Sequence, residues 1–348
     1  MGNFLRNQWY VAATSTEVTH KPLARTICNE PVVLFRTVGG EVGVLEDRCP
    51  HRRVPLSRGW VKGEVIQCAY HGSQFGRDGV CTGIPSQNVI PKENFAARSF
   101  PVIERYGMIF IWTGDAALAD ESLLPDFSQH TDGKHAAVHG YHYMKGNYLL
   151  IVDNLLDLTH LPYLHPGTLG AVNPDGWFHH QDVTVEGDVV KTSRAIRNSD
   201  QTPFVLSTKK FPGVDKLDRF QTSEFRAPGY LLVSIGFAHV EDKLEEMPFV
   251  HHEVTHALTP ETDGTTHYFW TVVRSEALDN EAVGQLHYEL TRMAFDEDAV
   301  MIEDQQKRLD SEGWEVPMVN LTGDAAGVAA RRIVERKLRE EEKLTAAA

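Results

Sequence analysis

Four side chains able to bind metal fall in two short clips between residues 49 and 71, and nothing else in the chain restricts its fold as much. Cys49-Pro50-His51 is followed, after sixteen residues, by Cys68-Ala69-Tyr70-His71-Gly72. Each clip offers one thiol and one imidazole at a spacing that fits a single tight loop, so the enclosing fold must bring two loops side by side. Structural zinc also accepts mixed Cys/His sets, but its common finger pattern groups two cysteines and then two histidines. One Cys and one His per clip suits a two-iron cluster, with two thiolates on one iron and two imidazoles on the other. An unusual zinc site is the alternative. Pro50 and Gly72 are the turn formers such loops need.

The chain around the clips reads as β-structure from Asn7-Gln8-Trp9-Tyr10-Val11-Ala12 to about residue 118. Residues 31–36 and 42–45 flank Gly39-Gly40 as two strands about a turn, and Asp78-Gly79 marks a second hairpin. A last strand covers residues 107–112. These segments predict a small all-β domain over residues 1–118, connected through residues 113–132 to a second domain over 119–348. That second part is mixed. A strand is predicted at 138–144 and a helix from Tyr148 to near Pro162. β patterns dominate 204–273, and a long helix follows from Asn280 to Leu309. A charged helix over 325–343 closes the chain. The expected fold class is α+β, with an antiparallel sheet wrapped against a long C-terminal helix.

Composition sets limits on partners. Residues 1–118 hold 13 Lys/Arg against 10 Asp/Glu, and residues 119–348 hold 21 against 38, so the net charge of −14 resides in the second part. Nucleic acid is not an expected partner. A mildly basic first half suits an acidic neighbour, either a second copy of the chain or a reductase. No apolar run is long enough to span a membrane, and Met1-Gly2-Asn3-Phe4-Leu5-Arg6 lacks the apolar core of a signal peptide. Cys28 and Cys81, the two cysteines outside the clips, are expected as reduced thiols, which fits a cytoplasmic protein.

A second dense stretch is Asp153-Asn154-Leu155-Leu156-Asp157-Leu158-Thr159-His160-Leu161-Pro162-Tyr163-Leu164-His165. On an unbroken helix His160 and His165 would point about 140° apart. Pro162 marks a kink or stop that lets His165 swing back toward His160. Two imidazoles and one carboxylate, with open positions opposite, form the non-heme Fe(II) arrangement for O2 activation. Asp298 is the expected carboxylate. Its helical neighbours are Ala294, Phe295, Met301 and Ile302, and an acid in an apolar stripe is costly unless paired or metal-bound. Asp296 and Glu297 read as acidic surface. Asp157 stands one helical turn before His160 and is expected to orient its ring. Asn154, a further turn back, either contributes a polar group at the iron or packs.

Taken together, the clips and the Val152-to-His160 motif with His165 five residues on resemble the terminal oxygenase component of Rieske non-heme iron oxygenases, over nearly the whole chain. The resemblance implies an N-terminal Rieske [2Fe–2S] domain with ligands Cys49, His51, Cys68 and His71. A helix-grip catalytic domain would follow, holding Fe(II) through His160, His165 and Asp298. It also implies a head-to-tail homotrimer, in which Asp157 bridges one subunit's cluster to the next subunit's iron. Electrons would come from a separate NAD(P)H-dependent flavin/iron–sulfur reductase. Within the family the chain is similar to single-subunit-type enzymes such as the vanillate and dicamba O-demethylases and toluenesulfonate methyl-monooxygenase. Thr255-His256-Ala257-Leu258-Thr259-Pro260-Glu261 resembles the strand that gives the dicamba-type enzymes a substrate-facing histidine, which implies that role for His256. Two other substrate positions of those enzymes fall on Val233 and Glu289, which implies a different substrate. The implied reaction is O2-dependent O-demethylation of a vanillate-like methoxybenzoate. Ring or benzylic-methyl hydroxylation of an aromatic acid or sulfonate is the alternative. An electron-transfer protein with an inactive second domain is a reading of another class.

Overall fold

The computed structural model describes residues 4–91, 95–169, 181–202, 205–206, 211–240, 250–275 and 277–347. Residue 204, where the β-rich stretch was predicted to begin, lies outside them. The chain divides into two compact units, Met1–Pro125 with Thr259–Asp263, and Asp126–Leu258 with Gly264–Ala348.

The first unit is built from short antiparallel strands. In chain order they are β1 (Trp9–Thr14), β2 (Leu23–Ile27), β3 (Glu30–Arg36), β4 (Val42–Glu46), β5 (Trp60–Lys62), β6 (Val65–Gln67), β7 (Gln74–Phe75), β8 (Cys81–Gly83), β9 (Val102–Arg105) and β10 (Met108–Trp112). They form three sheets, ordered β1-β10-β9, β2-β3-β4 and β5-β6-β7-β8. The predicted hairpins are present, the first turning through Gly40 at φ 92° and the second through Gly79 at φ 79°. Val33, Phe35, Leu45, Leu56, Ile66 and Phe75 form a core that encloses Cys49 and Cys68.

The second unit has one seven-stranded antiparallel sheet. Its strands are β11 (Ala136–Met144), β12 (Asp182–Glu186), β13 (Val189–Asp200), β14 (Lys216–Arg226), β15 (Tyr230–His239), β16 (Val250–Thr262) and β17 (Thr265–Arg274), in the order β11-β17-β16-β15-β14-β13-β12. The helices are α1 (Tyr148–Leu156), α2 (Leu161–Leu164), α3 (Glu281–Glu312) and α4 (Ala325–Ala347). Asn280 starts the long helix as the residues predict, its side chain accepting from Val283 N at 3.2 Å. Gly284, His287, Thr291, Phe295, Asp298 and Ile302 are buried at three- and four-residue spacing, the stripe that lays α3 on the sheet. Phe295 meets Tyr268 and Trp270 of β17 at ring-centroid distances of 5.2 and 5.5 Å.

One helix differs from expectation. α1 ends at Leu156, well before Pro162, and Pro162 lies in the first turn of α2. There its missing N–H costs nothing, because first-turn donors have no partner in the helix anyway. The chain leaves the helix at Asp157, whose Oδ1 accepts from Thr159 N at 2.7 Å. Such a local side-chain bond offers the backbone an alternative to the helical ladder.

Gly140 of β11 pairs with Trp270, and a Cβ there would stand 1.9 Å from the indole Cζ2. The indole is held over the strand by its N–H, which donates to His142 Nδ1 at 2.9 Å. Gly140→Ala is expected to destabilise the protein by about 1–3 kcal/mol through overpacking, read from urea unfolding.

Candidate metal centres

The two Cys/His clips fold into the same loop twice. In the first, Cys49 N donates to Val54 O at 2.9 Å and Arg53 N donates to Cys49 O at 2.9 Å. In the second, Cys68 N donates to Ser73 O at 2.8 Å and Gly72 N donates to Cys68 O at 3.0 Å. The residue that donates back must turn left-handed, and Arg53 and Gly72 do so at φ 60° and 77°. For a residue with a side chain that turn costs roughly 1–2 kcal/mol, so the second loop uses glycine and the first bears the strain at Arg53. Both cysteines are buried, whereas His51 and His71 are exposed, their ring centroids 4.5 Å apart. Burial pushes the Cys49 thiol up to about 11, with Cys68 beside it adding to the rise. Thiolates in such a setting need a cation against them, and this donor set fits one. The other two cysteines, Cys28 and Cys81, are free.

The second candidate centre joins the break after α1 to the middle of α3. One ligand atom each from His160, His165 and Asp298 lie within 4.8 Å of one another. The convergence point is Asp298 Oδ1, 3.1 Å from His165 Nε2 and 3.6 Å from His160 Nε2. Asp298 is buried, and no lysine or arginine among the described residues pairs with it. A carboxylate removed from water with only imidazoles and an amide for company is poorly compensated. A divalent cation on the open side would compensate it, and the three residues fit the facial arrangement of non-heme iron. Burial lowers the pKa of His160, favouring the neutral ring that a metal requires.

Neighbouring groups fix these donors. Asn154 Nδ2 donates to Asp298 Oδ1 at 2.9 Å, so the asparagine acts on the carboxylate. The ring of His160 is held by its Nδ1 against the backbone oxygen of Asp157 at 2.6 Å, and the Asp157 carboxylate is engaged with Thr159 N. His165 is held from behind by Glu297, Nδ1 to Oε2 at 2.7 Å, and Thr168 Oγ1 donates to the same oxygen at 3.1 Å. Glu297 is the residue that the sequence reading missed. Asp296, its neighbour, pairs with Arg292 at the helix surface. Glu297→Gln is expected to weaken metal binding about 10–100-fold without unfolding, measured by chelator competition.

A cavity adjoins the triad. Its wall is mainly apolar, from Leu155, Leu158, Leu161, Val233, Ile235 and Phe295, with His256 and Asn154 as polar members at the Asp298 end and Gln221, Thr291 and His252 further along. The Nδ1 of His256 is hydrogen-bonded to the Tyr268 hydroxyl at 2.7 Å, while Nε2 is buried and makes no hydrogen bond. Burial holds its pKa down to about 3, so the ring is neutral near pH 7. Val233 lines the cavity, but Glu289 does not. It lies on the outer face of α3, bonded to Gln285 and Arg292.

Comparison with known proteins matches both halves of the chain. Residues 8–100 match the Rieske [2Fe-2S] domain family, and residues 144–340 match the vanillate O-demethylase oxygenase C-terminal domain family. The chain belongs to the Rieske non-heme iron oxygenases, as an oxygenase component with a [2Fe–2S] cluster, a non-heme iron and O2 as cosubstrate. Among its relatives, a putative toluene-4-sulfonate monooxygenase system iron-sulfur subunit of Comamonas testosteroni is 39% identical, covering 97% of this chain and 98% of the relative. A vanillate O-demethylase oxygenase subunit of Pseudomonas sp. (strain HR199 / DSM 7063) is 35% identical over 99% of this chain and 98% of its own length. The crystal structure of dicamba monooxygenase bound to 3,6-dichlorosalicylic acid superposes with a TM-score of 0.91 at 33% identity, covering 98% of this chain and 99% of that one. No helix among the described residues is long and apolar enough to cross a membrane.

Proposed function

We propose that this chain is the oxygenase component of a monooxygenase that O-demethylates a small methoxybenzoate-type aromatic compound, releasing formaldehyde. The supporting observation is the His160/His165/Asp298 triad opening onto a mainly apolar cavity in which the buried Nε2 of His256 makes no hydrogen bond. Cys49, His51, Cys68 and His71 hold the cluster, and His160, His165 and Asp298 hold the iron. The bound iron supplies O2-dependent oxidation of a substrate C–H bond, with electrons arriving through the cluster. His256 positions the substrate through Nε2, while Tyr268 fixes the ring from the other side. The leucines and Phe295 clasp the aromatic ring and keep water away from it. Asn154 and Glu297 hold Asp298 and His165 in place throughout. Oxidation of an aryl methoxy carbon gives a hemiacetal, which collapses to a phenol and formaldehyde.

The working assembly is a cytoplasmic head-to-tail homotrimer, in which Asp157 of one subunit faces the cluster of the next, and an NAD(P)H-dependent reductase supplies the electrons. Benzylic-methyl hydroxylation is the second reading, favoured by the relationship to a toluene-4-sulfonate monooxygenase subunit. The test is a product assay on reduced, iron-loaded protein given O2 and a panel of methoxybenzoates that includes vanillate. Formaldehyde with a matching phenol is expected. O2 consumption without formaldehyde would replace demethylation by hydroxylation.

A further inference from the structure

The cavity beside the triad has a second polar end. Alternate residues of β16, namely His256, Val254 and His252, line one side, and Asp298, Phe295 and Thr291 of α3 line the other. His256 and Asp298 lie together at one end. At the opposite end His252 faces His287, which is one turn before Thr291 on α3. Both are buried, with ring centroids 5.0 Å apart. Four residues of strand separate His252 from His256, about 13 Å, and eleven of helix separate His287 from Asp298, about 16 Å.

Behind this histidine pair stands Arg274, the last residue of β17, at a position that by strand alternation shares a sheet face with Tyr268 and Trp270. Its guanidinium reaches the first turn of α3, where Nη2 donates to Asn280 O at 3.1 Å. The same nitrogen lies 3.6 Å from where a Cβ of Gly284 would stand. Arg274 is only 3% exposed, its Nε and Nη1 make no hydrogen bond, and no carboxylate among the described residues pairs with it. A purely structural role at the start of α3 explains the bond to Asn280 but not the two idle nitrogens, since buried donors, charged ones above all, are almost always satisfied. The charge is felt at His287, whose pKa burial and Arg274 together hold down to about 4, so the ring is a neutral hydrogen-bonding group at ordinary pH.

We propose that this end of the cavity takes the anionic group of the substrate, an aromatic carboxylate or sulfonate whose acid group is para to the carbon that is oxidised. His252 and His287 face the anion and Arg274 supplies the opposing charge. An acid ortho to the reacting carbon would instead lie by His256 and leave the basic end empty. The inference rests on the triad being the oxidising centre and narrows the substrate class proposed above.

The test is anaerobic calorimetry on the iron-loaded, cluster-containing protein with four probes. They are 4-methylbenzenesulfonate, 4-methoxybenzoate, neutral 4-methylbenzenesulfonamide and 2-methoxybenzoate. The two para anions are expected to bind at least tenfold tighter than the other two. Arg274→Gln should abolish that advantage while leaving sulfonamide binding within twofold, and His287→Asn, a second variant in case the first misfolds, should reduce it severalfold. Equal binding of para anions and sulfonamide, a preference for the ortho acid, no binding of any probe, or an advantage that survives both variants would overturn the proposal. Binding is read without turnover. A protein that prefers the para anions but oxidises none of them would defeat the proposed reaction and leave the anion site standing.

Discussion

Asp298→Ala is expected to lower the iron content from about three atoms per chain to about two and to take substrate turnover below detection, with the red-brown colour intact. Asp298 Oδ1 is where His160, His165 and Asn154 converge, so its loss leaves two imidazoles facing an apolar cavity with no anionic donor. Asp298→Asn keeps the shape and separates charge from volume. It too should lose the iron, because a neutral amide leaves a divalent cation uncompensated in a buried site. Metal analysis beside the visible spectrum decides the matter. A variant that kept about three irons would place the third at other residues.

Cys68→Ser should do the reverse, removing the visible absorption and about two of the three irons while sparing the third. Cys68 is enclosed by the core of the first unit, and its loop returns two backbone hydrogen bonds to it. Serine retains the volume but is a poor ligand for a soft metal. Its buried hydroxyl, left without a cation partner, costs about 1–3 kcal/mol. The first unit should therefore melt earlier as well as bleach. If the wild type proved colourless and zinc-loaded, the cluster reading of the two clips would fall.

How far the residues announced this arrangement depended on how local each signal was. The clips were legible because the four candidate ligands and their turn formers lie within one short stretch. Asp298 was legible because its neighbours at helical spacing are apolar, and the structure buries it on that stripe. Glu297 left no such trace. It sits on the shoulder of the same helix, and only the orientation of the His165 ring, set by distant chain, turns it toward Nδ1. Glu289 failed for a related reason. The cavity stripe of α3 runs through Thr291, Phe295 and Asp298, and Glu289 lies off it among partners at helical spacing. The end of α1 was misplaced because Pro162 is a louder signal than the side-chain bond at Asp157, although the quieter one acts first along the chain.

His160 and His165 flank the single turn of α2, and Leu164 N and His165 N close that turn on His160 O and Leu161 O at 3.0 and 3.1 Å. The separation of the two imidazoles is therefore measured out by backbone, with little help from the side chains between them. Tyr163 is largely exposed, so replacing it should leave that separation unchanged. An insertion or deletion of one residue is another matter, since it would rotate His165 by about 100° and carry it out of reach of Asp298. In this segment the metal site fixes the number of residues, while at the exposed position 163 it leaves the side chain open.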